Sequence, residues 1–333
     1  MSRSAVGAAP ATIFTNGSSR NVGIKSAGKD GGMRKGKTYV AVAILLVVIV
    51  GMMGFAIGCG SSSSSSGGGS SASPSSGGSL TGSAADRAQA ILGHAPTGLA
   101  ASIVSKGEIV VANDSNYAPQ SYVDKTTKEV KGFDVDVAKG MAEILGLGIV
   151  WKHPAWETIP AGLQGGLFDV SIGSMTITPE RQKTLDFTDP YYYTSGQVFV
   201  KKGGTQITSA SDLDGKKVGV GAQTTYYDFL KANTKAIVKT YTTDLDAVPD
   251  LLNGNLDFWM TAGPTGQQAI LQGKAIEFSG KPLYYEDLAM AIKKGEADLL
   301  ALLNYSVQQM HQNGALSAMS KQWYNGIDLT VKQ

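Results

Sequence analysis

Phe168-Asp169-Val170-Ser171-Ile172 runs straight into Gly173-Ser174-Met175-Thr176-Ile177-Thr178-Pro179-Glu180-Arg181, and the reading of this join decides the fold. The first five residues read as a short buried strand. Gly173 to Thr176 read as the loop at its carboxyl end. Thr178 is a good N-cap, Pro179 suits the first helical position, and Glu180 and Arg181 fall in the first turn. A strand, a loop and a helix start bring free N–H groups, hydroxyls and a guanidinium to one strand end. That is where open α/β sheets bind ligands. Arg181 is a natural two-pronged partner for a carboxylate. A lone loop arginine is ordinarily a surface residue, but Ser174, Thr176 and Thr178 beside it favour a carboxylate site.

The pattern extends in both directions. Upstream, Glu108 to Asn113 reads as a buried strand ending in the polar loop Asp114-Ser115-Asn116-Tyr117-Ala118-Pro119. Apolar residues at 133, 135, 137, 138, 141, 142, 144 and 145 give the stretch from Phe133 to Leu145 one apolar helical face. Ile149 to Trp151 is the next strand, and Ile159 to Gly165 a short helix. Strands alternating with helices mean a parallel α/β sheet. From Gln197 the plan resets. Strands are expected at 197–201 and within 213–220, a helix at 226–231, a helix at 248–252 and a strand at 256–260. Further strands are expected at 275–278 and 288–293, then a helical tail over 296–324. Thr224 and Thr225 at a helix N-terminus make a second anion-friendly point. Two α/β lobes presenting strand ends to one cleft is the expected architecture.

The ordered motifs resemble those of the family 3 extracellular solute-binding proteins, the polar amino acid receptors of ABC importers. Gly132-Phe133-Asp134-Val135-Asp136-Val137-Ala138-Lys139-Gly140-Met141-Ala142-Glu143-Ile144-Leu145 matches the family signature at every specified position. Tyr117-Ala118-Pro119, Ser174 to Thr178 with Arg181, Asp186-Phe187-Thr188, Lys216 to Val220 and Ala289 to Gly295 follow in the family's order. The resemblance implies a two-lobed periplasmic-binding-protein-like fold of type II, with two crossover strands near 193–198 and 282–288. Lobe 1 would comprise residues 106–196 and 284–333, and lobe 2 residues 197–283. It implies a carboxylate held by Arg181, Thr176 and the Ser174 backbone, with Met175 in the same run. Thr224 and Thr225 would reach the carboxylate from the second lobe. Tyr117 would lie over the ligand, Asp114 would select its side chain, and Trp156 would form the opposite wall. Two positions depart from the family. The Asp that usually holds the α-ammonium is replaced by Ala262, so either Asp114, or Glu157 in reserve, serves a ligand amine, or the ligand lacks a free α-amine. Gln223 stands where Gly is usual.

Composition bounds the rest. The chain has 333 residues, 42% hydrophobic and 17% charged, enough for a substantial core. Residues 1–58 hold seven basic residues and one acid, a net of +6 against +2 for the chain, so the remainder carries −4. That balance gives no reason to expect nucleic acid as a partner. The three histidines are scattered, no metal-ligand spacing appears and no cofactor is implied. Gly31 to Thr38 matches the phosphate-loop pattern, but no buried strand precedes it and a wholly apolar run follows, so the match is rejected. Tyr39 to Gly58 is that run, with Arg34, Lys35 and Lys37 before it and Ala56-Ile57-Gly58-Cys59 at its end. This resembles a lipoprotein signal cleaved before Cys59, which would carry the lipid at the outer face of the bacterial cytoplasmic membrane. An uncleaved transmembrane anchor is the alternative. Translation is expected to start at Met33. Residues 1–58 are therefore tail and anchor, 59–84 a flexible Ser/Gly-rich linker, and 85–105 a helical lead-in. The expected partners are a small carboxylate ligand, an ABC permease and its ATPase subunits. No catalytic residue is assigned. A dehydratase-like enzyme on the same fold and a ligand-sensing module are the competing readings.

Overall fold

The computed structural model describes residues 80–332. The basic tail, the apolar run, Cys59 and most of the Ser/Gly linker lie outside the described residues.

Each lobe is one β-α-β-α-β unit with its first strand in the middle. In lobe 1, β1 (Glu108–Ala112) leads through α3 (Phe133–Leu145) to β5 (Gly148–Lys152), then through α4 (Ile159–Gln164) to β6 (Val170–Thr176). Strands β5 and β6 both pair parallel to β1. A small antiparallel sheet of β2 (Asn116–Tyr117), β3 (Ser121–Val123) and β4 (Val130–Lys131) is inserted after β1. In lobe 2, β9 (Lys217–Gly221) leads through α5 (Thr225–Asn233) to β10 (Ile237–Tyr241), then through α6 (Ala247–Leu252) to β11 (Phe258–Ala262). Strands β10 and β11 flank β9, again parallel. The helix α7 (Gly263–Leu271) follows. Both units thus turn their carboxyl strand ends to one place.

Two long strands join the lobes. β8 (Tyr192–Lys201) and the 18-residue β12 (Ile276–Lys293) pair antiparallel, with a register shift between Ser279 and Tyr284. β8 also pairs with β11, and β12 with β6, so one continuous sheet runs through both lobes. β7 (Leu185–Phe187) pairs with the end of β12. The two strands expected at 275–278 and 288–293 are therefore the two ends of one element. A burial pattern cannot show this, because the middle of β12 crosses between the lobes and is partly exposed.

The cores are separate. Ile109, Phe133, Met141, Ile172, Tyr192 and Met290 belong to the largest, in lobe 1, with Met175 and Leu163 on the other side of the sheet. Val198, Val220, Tyr226 and Met260 pack on one face of the lobe 2 sheet, and Phe199, Trp259 and Leu251 on the other. The helical tail is two helices, α8 (Ala297–Gln312) and α9 (Ala315–Trp323), broken at Gly314 with φ +77°. The lead-in is also two helices, α1 (Ala84–Leu92) and α2 (Gly98–Lys106), and it is part of lobe 1. Ala88, Ala100 and Ile103 are buried in that lobe's core. Arg87 Nη1 donates to the carbonyls of Glu143 at 2.8 Å and Ile144 at 3.1 Å, satisfying the open end of α3.

The join at 168–181 differs from its expectation. β6 continues through Gly-Ser-Met-Thr to Thr176 instead of ending at Ile172. Ser174 takes a positive φ of +57° within it. Thr178 Oγ1 accepts from the Arg181 N–H at 3.2 Å, but the helix expected there is only one 3-10 turn, Arg181–Lys183, with Glu180 at its N-cap. Leu185 to Phe187 are claimed by β12, so pairing with the sheet ends the turn before a helix can propagate.

Candidate functional site

The residues that meet between the lobes all stand at carboxyl ends of parallel strands. Asp114, Asn116 and Tyr117 follow β1, and Trp156 follows β5. Gly173, Ser174, Thr176 and Arg181 come from the end of β6 and the turn after it. Gly221, Ala222, Thr224, Thr225 and Tyr226 come from β9 and the start of α5, and Thr242, Thr243 and Asp244 follow β10. They enclose about 580 Å³ of atom-free space, open solvent included.

Eight expected positions therefore converge: Asp114, Tyr117, Trp156, Ser174, Thr176, Arg181, Thr224 and Thr225. Met175 and Ala262 do not. Alternation along β6 turns Met175 to the face opposite Ile172, where it is fully buried against α4. Ala262 ends β11 with its side chain fully buried in the lobe 2 core. Glu157 is absent from the lining.

The hydroxyls are already engaged. Ser174 Oγ donates to Asp134 Oδ2 at 2.7 Å and accepts from the Tyr192 hydroxyl at 2.7 Å, while its N–H donates to the Tyr191 hydroxyl at 2.9 Å. Thr224 Oγ1 caps α5, donating to the Gly221 carbonyl at 2.9 Å and accepting from the Tyr227 N–H at 3.2 Å. Thr176 Oγ1 donates to Glu286 Oε1 at 3.0 Å, and Thr225 Oγ1 donates to the same oxygen. Glu286, on the crossing part of β12, thereby links a residue of each lobe. Burial pushes its carboxyl up, and the two threonines and the Arg181 charge pull against that shift.

Arg181 keeps spare donors. Its Nη1 donates to the Thr176 carbonyl at 3.0 Å and its Nη2 to the Gln223 carbonyl at 3.5 Å, out of five N–H groups. The guanidinium carbon lies 5.4 Å from the centre of the Trp156 ring, a distance for cation–π attraction. Trp156 Nε1 also donates to the Gln223 carbonyl, at 3.3 Å. Gln223 adopts φ +56°, the conformation a glycine takes easily. Glutamine at 223 therefore keeps the left-handed turn, and that turn points its carbonyl across to lobe 1.

Two acids were not found by reading the chain. Glu286 sits in Tyr-Tyr-Glu-Asp-Leu, which gives no hint of what faces it. Asp244 lies in Thr-Thr-Asp-Leu-Asp, which reads as a capping segment, and Thr243 with Asp246 does form a capping box. Asp244 is 6% exposed. Burial pushes its carboxyl up to about 6, against the hydrogen bonds from Thr261 and Gly221. Burial also raises Asp114. Among the described residues no cluster of His, Cys, Asp and Glu is placed to hold a metal ion.

Residues 109–326 match the model of the bacterial extracellular solute-binding proteins, family 3. The chain belongs to that family. The L-cystine-binding protein TcyJ of Escherichia coli is 33% identical over 240 residues, covering 71% of this chain and 89% of that protein. An ancestral arginine-binding protein, solved with arginine bound, superposes with a TM-score of 0.62 at 30% identity, over 66% of this chain and 98% of its own. An ancestral amino-acid-binding protein that is a precursor of cyclohexadienyl dehydratase gives 0.62 at 32%, over 67% and 98%. The fold is the type II two-lobed fold of these receptors. As a family 3 member the chain is a solute-binding protein, and the cleft between its lobes is the candidate solute site.

Proposed function

We propose that this family 3 protein is the receptor of an ABC importer, tethered outside the membrane through a lipid on Cys59, and that it closes on an amino acid or related small carboxylate. The observation that carries the reading is Arg181. It is held by two backbone carbonyls and stacked on Trp156, with donors left over, and it faces the cleft opposite the first turn of α5. A ligand carboxylate there meets a guanidinium from one lobe and helix N–H groups from the other. A group that binds both lobes at once favours the closed form, which is the form a permease would select. The names of the relatives support an amino acid.

The test is calorimetry with L-arginine, L-glutamine and L-cystine against simple carboxylates. Micromolar or tighter binding of at least one amino acid is expected, and binding of none would overturn the reading. Intact-mass analysis of membrane-extracted protein tests the anchor. A lipidated chain beginning at Cys59 is expected, and a chain retaining residues 39–58 would leave the transmembrane alternative.

One observation favours a dehydratase-like second reading, an acid at Asp244 poised near neutrality in the cleft. Incubation with prephenate separates the two. No phenylpyruvate should form if the protein is a receptor.

A further inference from the structure

The family position for an ammonium-binding carboxylate is Ala262, whose side chain is fully buried among apolar residues. One residue earlier, Thr261 Oγ1 donates to Asp244 Oδ2 at 2.7 Å. At the end of the adjacent parallel strand β9, the Gly221 N–H donates to Asp244 Oδ1 at 2.9 Å. The carboxylate is thus drawn across the ends of β9 and β11, to the place that β11 itself leaves without an acid. A Cβ at 221 would stand 2.3 Å from Asp244 Oδ1, so only glycine lets the carboxylate come this close. Asp244 lines the cleft, is 6% exposed, and takes part in none of the ion pairs among the described residues.

We propose that Asp244 is the counter-ion of the ligand's α-ammonium, supplied from the loop after β10 in place of the missing carboxylate at 262. The assignment rests on the amino acid reading. A nearly buried carboxylate that is hydrogen-bonded on both oxygens but has no cation is costly to ionise until one arrives. Burial raises the carboxyl to about 6, and the nearby Glu286 and Asp114 charges add to that rise. Arg181, on the opposite lobe, provides the complementary charge, so an α-amino acid would span the cleft with its two charged groups. Asp114 is the weaker candidate for this task. It is less buried, so its charge is less costly to leave without a cation, and its Oδ1 is shared by the Asn116 N–H at 3.0 Å and Nδ2 at 3.2 Å. It remains available to the side chain of the ligand.

The test is titration of L-arginine, L-glutamine and L-cystine, each beside its deaminated analogue with hydrogen replacing every α-amine. Wild type, Asp244→Asn and Asp114→Asn are compared, with melting temperatures recorded for each. Wild type should prefer at least one amino acid over its analogue by roughly 100-fold or more, since the analogue leaves a buried charge unpaired. Asp244→Asn should bring the two within about threefold by losing the amino acid alone, while Asp114→Asn keeps the preference. Asp244→Asn weakening both ligands equally would make Asp244 a structural tie between β9 and β11 and overturn the assignment. Loss of preference in Asp114→Asn instead would overturn it in favour of Asp114. In these two cases wild type still binds the amino acid, so the receptor reading stands. Failure of wild type to bind any of the three amino acids, or equal binding of amino acid and analogue, would overturn the assignment together with the amino acid reading.

Discussion

Arg181 and Asp134 show how single side chains divide the work at this cleft. Arg181 has the planar fork that a carboxylate needs, already aimed by the Thr176 and Gln223 carbonyls. Arg181→Lys keeps the charge and loses the fork, so it should weaken amino acid binding by roughly 2–4 kcal/mol in calorimetry while leaving the unfolding midpoint unchanged. Asp134 lies beneath, fully buried, accepting from Ser174 Oγ and from the Tyr191 hydroxyl at 2.7 Å each. Burial pushes its carboxyl from 3.8 up to about 7, despite those two hydrogen bonds. The native state then holds the proton more tightly than the unfolded chain. The stability this contributes is fully present below about 3.8 and is lost as pH rises through about 7. Urea midpoints of wild type minus Asp134→Asn, measured from pH 4 to 8, should fall across that window. A difference that does not change with pH would mean that Asp134 is ionised throughout.

At the scale of elements, the signature stretch from Gly132 to Leu145 explains its own first residue. Gly132 opens α3 at φ +140°, and a Cβ there would stand 2.1 Å from the Gln120 carbonyl oxygen. Gly132→Ala adds a backbone clash to a conformation closed to alanine and should cost roughly 2–4 kcal/mol in thermal unfolding. Gly166 is the control, with φ +72° and nothing within 4 Å of its Cβ. Gly166→Ala should cost only about 1 kcal/mol, the price of the dihedral alone. Equal losses at the two sites would show that the approach of Gln120 is unimportant. The helix α3 was legible with its full bounds because its apolar spacing runs from Phe133 to Leu145, and the structure places a glycine cap at each end, Gly132 and Gly146. The strands β6 and β11 were placed less well. β6 was expected to stop four residues too early, and β11 to lie two residues upstream. Short, wholly buried strands give no alternation with which to set their ends.

For the whole molecule, the lead-in helices belong to lobe 1 although they precede the family-matched residues. Removing residues 80–106 uncovers the surface that Ala88, Ala100 and Ile103 bury. The melting temperature should drop by roughly 5–10 °C, with ligand affinity kept within about twofold, because no residue of α1 or α2 lines the cleft. A large loss of affinity would mean that α1 and α2 act on the cleft through lobe 1. The crossover strands also carry a polar link between the lobes. Glu286, on one of them, receives hydroxyls from Thr176 in lobe 1 and Thr225 in lobe 2. Both threonines also line the cleft.

The sequence by itself determined the α/β class, the family, and eight residues that converge on the cleft, because period, caps and motif order are local. Arg181 was readable for that reason, as was the helix start at Thr224. What the hydroxyls do was decided only in three dimensions. Ser174, Thr176, Thr224 and Thr225 look free along the chain, yet each already has a protein partner once the strands are side by side. Met175 and Ala262 turned away because a strand gives alternate residues to opposite faces, and motif spacing does not say which face is the cleft. Asp244 and Glu286 reached the site only through tertiary contacts, across 17 residues to Thr261 and 110 residues to Thr176. No local signal marks a carboxylate whose partners lie that far along the chain, since burial and missing charge are properties of the folded surroundings.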